Sequence, residues 1–168
     1  KNLNCAILFQ TNKGYGDALI NGIKNTKTKY FCIFNADGSF DPKEILGMLD
    51  KIKDDDIDFV FGSRYLKNAS SDDDTFITYI GNKFFSLLGK IFFRLPINDI
   101  LYTFVVGNTD KAKKLNLKQK DFSFCVELPI KAYKSEYKLI STVANERSRI
   151  AGIKKVNAFK DGFLILVQ

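Results

Sequence analysis

Asn35-Ala36-Asp37-Gly38 follows the apolar run of residues 30–34 and is the group best placed to do chemistry. Ligands of open parallel sheets bind where the strands run out at their carboxyl ends, so side chains here are set for ligand contact. An aspartate in that position can hold a hard cation, Mg2+ or Mn2+, which bridges a diphosphate and offsets its charge. Gly38 lets the chain turn at little steric cost. The same residues fit a plain turn, which is the commoner use of Asp and Gly after a strand. None of the 168 residues is a histidine, which excludes His-based triads, imidazole metal sites and the commonest general base. Cys5, Cys32 and Cys125 are an odd set without CxxC spacing. They read as small buried core residues rather than a disulfide or zinc framework.

The elements that must position these residues alternate. Residues 5–10 read as a short buried strand. An amphipathic helix from Asp17 carries Ala18, Leu19 and Ile23 on one side, and residues 30–34 form the next buried strand. Asp41-Pro42 reads as a helix start, with Asp as N-cap and Pro at the first helical position. Ile45, Leu46, Leu49 and Ile52 then keep the helical period through Lys53, and residues 58–61 form a third strand. This alternation predicts an α/β fold with a mainly parallel sheet flanked by helices. Residues 66–75, with Ser70, Ser71 and three successive aspartates, read as a mobile loop. Helices follow over 76–95, 110–115 and 122–134, the last interrupted by Pro129, and strands over 102–106 and 138–143.

An apolar fraction of 45% in 168 residues suffices for one core, so residues 1–168 read as a single domain. The net charge of +7 favours anionic partners. The lysines are dispersed rather than striped beside exposed aromatics, which argues against nucleic acid; a plain solvated surface accounts for them, and a nucleotide, a lipid phosphate or a phospholipid surface fits as well. No run approaches the roughly 18 apolar residues that span a bilayer, and residues 1–10 lack the pattern of a secretory leader. The expected location is cytoplasmic, peripheral on the inner face of the membrane.

The order and spacing of further residues narrow the reading. Asn12-x-Gly14-x-Gly16-x-Ala18 precedes Asn35-Ala36-Asp37-Gly38-Ser39-Phe40-Asp41-Pro42, and Gly62-Ser63-Arg64-Tyr65 comes next. Gly81-Asn82, Asp99, Glu127 and Arg149-x-x-Gly152-x-Lys154-Lys155 complete the series. Over nearly the whole chain it resembles the family-2 glycosyltransferases, especially the dolichol-phosphate mannose synthase-like branch. The usual forms there are NxGxGxA, DADxxxxP, GSRY and RxxGxSK. The resemblance implies a GT-A fold, a UDP- or GDP-sugar donor, Mg2+ or Mn2+, and a polyprenyl-phosphate acceptor. It assigns donor binding to Gly14, Asn35 and Asp37, and metal binding to Asp37 and Ser39. It gives acceptor phosphate to Arg64, Thr78, Arg149 and Lys155. A phosphate acceptor is already ionised and needs no strong base, which suits a chain without histidine. A glycan hydroxyl acceptor would need a carboxylate base, and Glu127 matches the family's helix-borne acid; otherwise it is an ordinary charge at a helix N-terminus. A non-catalytic relative that binds a nucleotide or partner is the remaining alternative.

Departures from the pattern shape the expectations. Asn35 replaces the first aspartate, which lowers the charge available to a metal. Asp74 stands where the lipid-phosphate branch has a second arginine, and Thr103 and Val105 replace a glycine and an arginine of a later segment. Nothing in residues 1–12 matches the family's first strands, so the fold is expected to lack them and the nucleotide-binding segment they form. Residues 82–95 carry a broad apolar surface broken by Lys83, Lys90 and Arg94. They fit either a core-facing helix or one lying in a membrane interface.

Overall fold

The computed structural model describes residues 5–10, 12–54, 56–151 and 162. In chain order the elements are α1 (Tyr15–Asn25), β1 (Tyr30–Ile33), α2 (Glu44–Asp54), β2 (Phe59–Ser63), β3 (Ser70–Ser71) and α3 (Phe76–Phe93). They continue with β4 (Val105–Asn108), α4 (Thr109–Lys114), α5 (Phe124–Lys134), β5 (Leu139–Val143) and β6 (Asn145–Glu146). The main sheet has the order β1-β4-β2-β5. β4 runs antiparallel to both neighbours, pairing Val105 with Ile33 on one side and with Phe61 on the other. β2 and β5 are parallel, from Phe59 opposite Leu139 to Ser63 opposite Val143. The α/β reading holds, and the insertion of β4 makes the sheet mixed. Because β1, β2 and β5 share a direction, their carboxyl ends lie along one edge, where residues 34–40, 64–65 and 144–150 leave the sheet.

Strand alternation divides the core. Phe31, Ile33, Phe59, Phe61 and Val105 face α1 and α5, where they meet Ile23, Phe124 and Leu128. Val60 and Val106 face the other way, onto Phe40, Met48, Ile52, Tyr102 and Phe104. Phe59 and Phe104 are fully buried, and losing one such ring costs about 3–5 kcal/mol in a packed core.

Several sequence expectations need correcting. Residues 5–10 are not a buried strand: Ile7 and Phe9 are 80% and 87% exposed. Among the described residues they pair with no strand, and a side-chain bond from Asn21 Nδ2 to Phe9 O, at 3.1 Å, ties them to α1. Cys125 is buried as expected, but Cys5 and Cys32 are exposed. α2 is regular from Glu44, two residues after Pro42, and Asp41 caps the turn that leads into it: its Oδ1 accepts from Lys43 N–H at 3.0 Å and its carbonyl from Glu44 N–H. Met48, not Leu46, carries the buried face of that helix; Leu46 is exposed. The polar segment 66–75 contains β3, which pairs in parallel with β6, Ser70 opposite Asn145 and Ser71 opposite Glu146. Pro129 lies inside α5 without ending it.

Among the described residues α3 is the longest helix, and a capping box between Thr75 and Thr78 starts it. Ser86 and Gly89 are its buried positions, and their small size lets the helix approach Leu95 and Ile100. Phe76, Ile77, Ile80, Phe84, Leu87, Ile91 and Phe92 are all exposed. Of the two readings of this segment, the core-facing one therefore describes only a narrow stripe. Among the described residues no helix is long and apolar enough to cross a membrane. The Phe163–Val167 run lies outside the described residues.

Candidate active site

β1 ends at Ile33, and Phe34 anchors the outgoing chain by edge-on contacts with Phe40 and Phe104. The next turn brings Asp37 back over the sheet edge. Ser39, 1% exposed, donates its N–H and hydroxyl to Asp37 Oδ1 at 3.0 and 2.7 Å. This leaves Oδ2 as the oxygen available to an outside ligand, with Arg149 Nη1 3.6 Å away. Desolvation pushes the Asp37 carboxyl up, but the Ser39 bonds and the Arg149 charge outweigh it and hold the group below its ordinary value. The site thus keeps an ionised carboxylate at neutral pH.

A strap formed by residues 145–150 closes one side. Arg147 N–H donates to Ser39 O and Ile150 N–H to Asp37 O, each at 2.9 Å. Arg147 Nη2 donates to Phe40 O at 2.7 Å. Gly38 has φ +86°, and an added Cβ would lie 2.6 Å from Ile150 Cδ1, so glycine serves both the turn and the close seat of the strap. Arg149 also donates from Nε to Asp73 at 3.3 Å, linking the strap to the polar segment before α3. Tyr15, the first residue of α1, stacks on Phe122 with centroids 4.8 Å apart and bonds Thr103 Oγ1 at 2.5 Å. Burial raises the Tyr15 phenol well above its ordinary value, so it remains protonated.

The other sequence-nominated residues divide sharply. Asn35 is half-buried at the exit of β1, and Gly14, with φ +152°, abuts the carbonyl of Lys120 just before α1. Ser39 is buried and donates its hydroxyl to Asp37 Oδ1, so in this structure it orients the carboxylate. Arg64 does not present its guanidinium to a ligand. Nε and Nη2 grip Asp99 at 2.7 and 3.0 Å, and Nη1 reaches Glu146 at 3.1 Å and Asp74 at 3.6 Å. The Tyr102 ring lies 4.6 Å beneath it. Burial opposes its charge, but Asp99 and Glu146 more than compensate and raise its proton affinity. Asp74, expected to repel a phosphate, is partly neutralised by Arg64 and accepts from Tyr65 OH at 2.7 Å. Thr78 gives its hydroxyl to the capping box, accepting from Thr75 N–H at 2.8 Å. Glu127 accepts backbone N–H groups of Lys118 and Gln119 and pairs with Lys131, so it is not poised as a base. Lys155 lies outside the described residues.

Tyr15, Asp73, Arg147 and Glu146 escaped the sequence reading. Tyr15 sits between two nominated glycines, which was a usable signal; Glu146 and Asp73 act only through contacts distant in sequence.

Among the described residues no group of three or more His, Cys, Asp or Glu could hold a metal. Asp37 nevertheless fits a hard cation of the kind bound by one or two carboxylates and otherwise by water and substrate phosphates.

With this geometry in place, comparison with known proteins identifies the class. The glycosyl transferase family 2 profile matches residues 1–115, and the chain belongs to that family. Glucosyl-3-phosphoglycerate synthase from Mycobacterium tuberculosis in complex with phosphoglyceric acid superimposes with a TM-score of 0.67 at 11% identity, over 94% of this chain and 54% of that one. The same enzyme with Mn2+, uridine diphosphate and phosphoglyceric acid gives 0.61 at 12%, over 84% and 49%. With Mn2+ and uridine-diphosphate-glucose it gives 0.63 at 11%, over 95% and 55%. The likeness is one of fold, GT-A-like with a mixed sheet flanked by helices. The chain spans about half the length of these structures.

Proposed function

We propose that the domain serves in transfer of a sugar from a UDP- or GDP-sugar to a lipid phosphate, with inversion, at a membrane surface. The observation that carries the acceptor class is α3: an 18-residue helix with a row of exposed aromatic and aliphatic side chains and no acidic residue. A contiguous apolar face of this kind, flanked by Lys83, Lys90 and Arg94, suits the boundary between anionic headgroups and acyl chains. The N-terminus of α3 adjoins Asp73 and Asp74, and hence Arg149 and Asp37, so a lipid lying along the helix would bring its phosphate towards the sheet edge.

In this reading Asp37 Oδ2 is the oxygen that would hold Mg2+ or Mn2+, which when bound would supply positive charge for the departing nucleoside diphosphate. An acceptor phosphate oxygen attacks the anomeric carbon; the new carbon–oxygen bond forms as the bond to the diphosphate breaks. Arg149 is the cation beside that centre, in place of Arg64, and its fork suits phosphate. No proton has to be removed from an ionised acceptor. That agrees with a site in which Glu127 is committed elsewhere, and it weighs against a glycan hydroxyl. The finding that relatives of this fold bind Mn2+ and UDP-glucose supports the donor side.

The test is transfer of radiolabelled sugar from UDP- and GDP-sugars by the full-length protein to polyprenyl phosphate in vesicles, against soluble glycans. Label in the lipid, lost together with vesicle binding in Phe84→Asp/Phe92→Asp, supports the reading. Label in a glycan, with vesicle binding unaffected by those changes, contradicts it.

A further inference from the structure

Glu127 lies in the first turn of α5, and its carboxylate is 8% exposed. Both oxygens lie 2.9 Å from Lys118 N, and Oε2 also accepts from Gln119 N–H at 2.8 Å. Lys131 pairs with Oε1 at 2.7 Å and donates to Asn116 O, also at 2.7 Å, so one side-chain pair fixes both ends of the turn 116–119.

What this loop supports is the first turn of α1. Its Lys120 carbonyl accepts from Asp17 N–H at 3.0 Å. A Cβ on Gly14 would lie 2.1 Å from Lys120 O, and one on Gly16 2.2 Å from Gln119 O. Backbone therefore packs on backbone with no room for a side chain, and a shift of the loop must be transmitted to the turn. Tyr15, between the two glycines, stacks on Phe122 at the far end of the same loop and bonds Thr103, whose neighbour Phe104 packs against Phe34 and Phe40 on either side of the Asp37 segment. Asp17 completes the arrangement by accepting from Asn12 N–H at 3.0 Å and from its amide at 3.1 Å.

We propose that Glu127 is a positioning residue: through loop 116–121 it sets the first turn of α1, at Gly14-Tyr15-Gly16, as the donor-side wall of the Asp37 site. The proposal rests on reading Asp37 as the donor site. It replaces the general-base role that the position of Glu127 in the sequence suggests.

The experiment is calorimetric titration of the full-length protein with UDP and GDP in Mn2+, joined to donor KM, kcat and the pH profile of kcat. Glu127→Ala removes the acceptors of Lys118 and Gln119 N–H and should raise nucleotide Kd and donor KM about tenfold, as loss of hydrogen bonds to a charged group implies. Turnover at saturating donor and its pH profile should stay close to wild type. Glu127→Gln should recover much of the affinity, because one amide oxygen at the Oε2 position can accept from both N–H groups. Lys131→Met, a partly exposed change that loosens the same loop, should weaken binding several-fold even where Glu127→Ala fails to fold. A kcat loss of about a hundredfold or more in Glu127→Gln, with the acidic limb of the profile gone, would make Glu127 a base and overturn the proposal. Unchanged Kd in Glu127→Ala, or in Lys131→Met, would overturn it as well. Wild-type protein that binds neither nucleotide would remove the donor-site reading and this proposal with it, a result distinct from the other two.

Discussion

Replacing Arg64 by Met tests whether this arginine is a buried scaffold or a ligand for substrate. In the folded chain it is 9% exposed and the cation shared by Asp99, Glu146 and Asp74, with Asp99 fully buried. Met fills a similar volume but leaves three nearly buried carboxylates without their counter-charge. Breaking a buried pair in this way costs about 3–5 kcal/mol, a large part of the ~5–15 kcal/mol that holds a typical domain. At roughly 2–4 °C per kcal/mol for a domain of this size, the midpoint of thermal unfolding should fall by about 6–20 °C. Urea unfolding followed by circular dichroism and scanning calorimetry reads the loss. Asp99→Asn should cost a comparable amount, and the double variant should be less destabilised than the sum, because both singles break one network. A further consequence is local: Glu146 also accepts from Ser71 and forms β6, so amide exchange in residues 70–72 and 145–147 should quicken first. An Arg64→Met protein with wild-type stability and exchange, but weakened binding of a phosphate acceptor, would refute this reasoning.

Other perturbations probe the turn at Asp37 and the start of α3. Ser39→Ala removes the shorter of the two bonds to Asp37 Oδ1, so the carboxyl should titrate at higher pH than in wild type, where it lies below 3.8. A carboxyl depressed by folding contributes stability that is present above 3.8 and lost as pH falls through the folded value. The wild-type advantage over Ser39→Ala should therefore shrink in acid; a carbon-detected NMR titration showing equal Asp37 midpoints would contradict this. Gly38→Ala forces an alanine to φ +86° and its Cβ to 2.6 Å from Ile150 Cδ1. A loss of about 1–2 kcal/mol is expected, with faster exchange of the Ile150 amide; unchanged exchange would show that the strap does not depend on the glycine. Thr75→Ala deletes the cap of α3 and should cost about 1 kcal/mol. Unaltered unfolding in urea would argue against the capping box.

The fold was legible wherever a local pattern dictates it. The helix periods of α1 and α2, the strands around Tyr30 and Phe59, and Asp37 at the exit of a strand could all be read from neighbours in sequence. The failures share a physical cause. Residues 5–10 have a strand's composition, but a strand exists only with a partner, and composition cannot supply one. The antiparallel insertion of β4 depends on the path of residues 94–104, which local periodicity does not encode. Arg64 and Glu127 stand out in the sequence, but the partners that hold their side chains do not. A charged side chain in a motif reads as reaching for a ligand unless its partners are known, and Asp99, Glu146 and Lys131 meet them only in the fold. The cap at Thr75 was hidden because Thr78 replaces the Glu or Gln that usually completes a capping box.

The most direct test of the account is calorimetric titration of the full-length protein with UDP and with GDP, with and without Mn2+, comparing wild type and Asp37→Ala. The account predicts that one nucleotide binds wild type in a metal-dependent way, and that Asp37→Ala loses the metal dependence while still unfolding cooperatively, at a temperature lowered by the loss of the two Ser39 bonds. Metal-dependent binding that survives in Asp37→Ala, or wild-type protein that binds neither nucleotide with Mn2+, would contradict it.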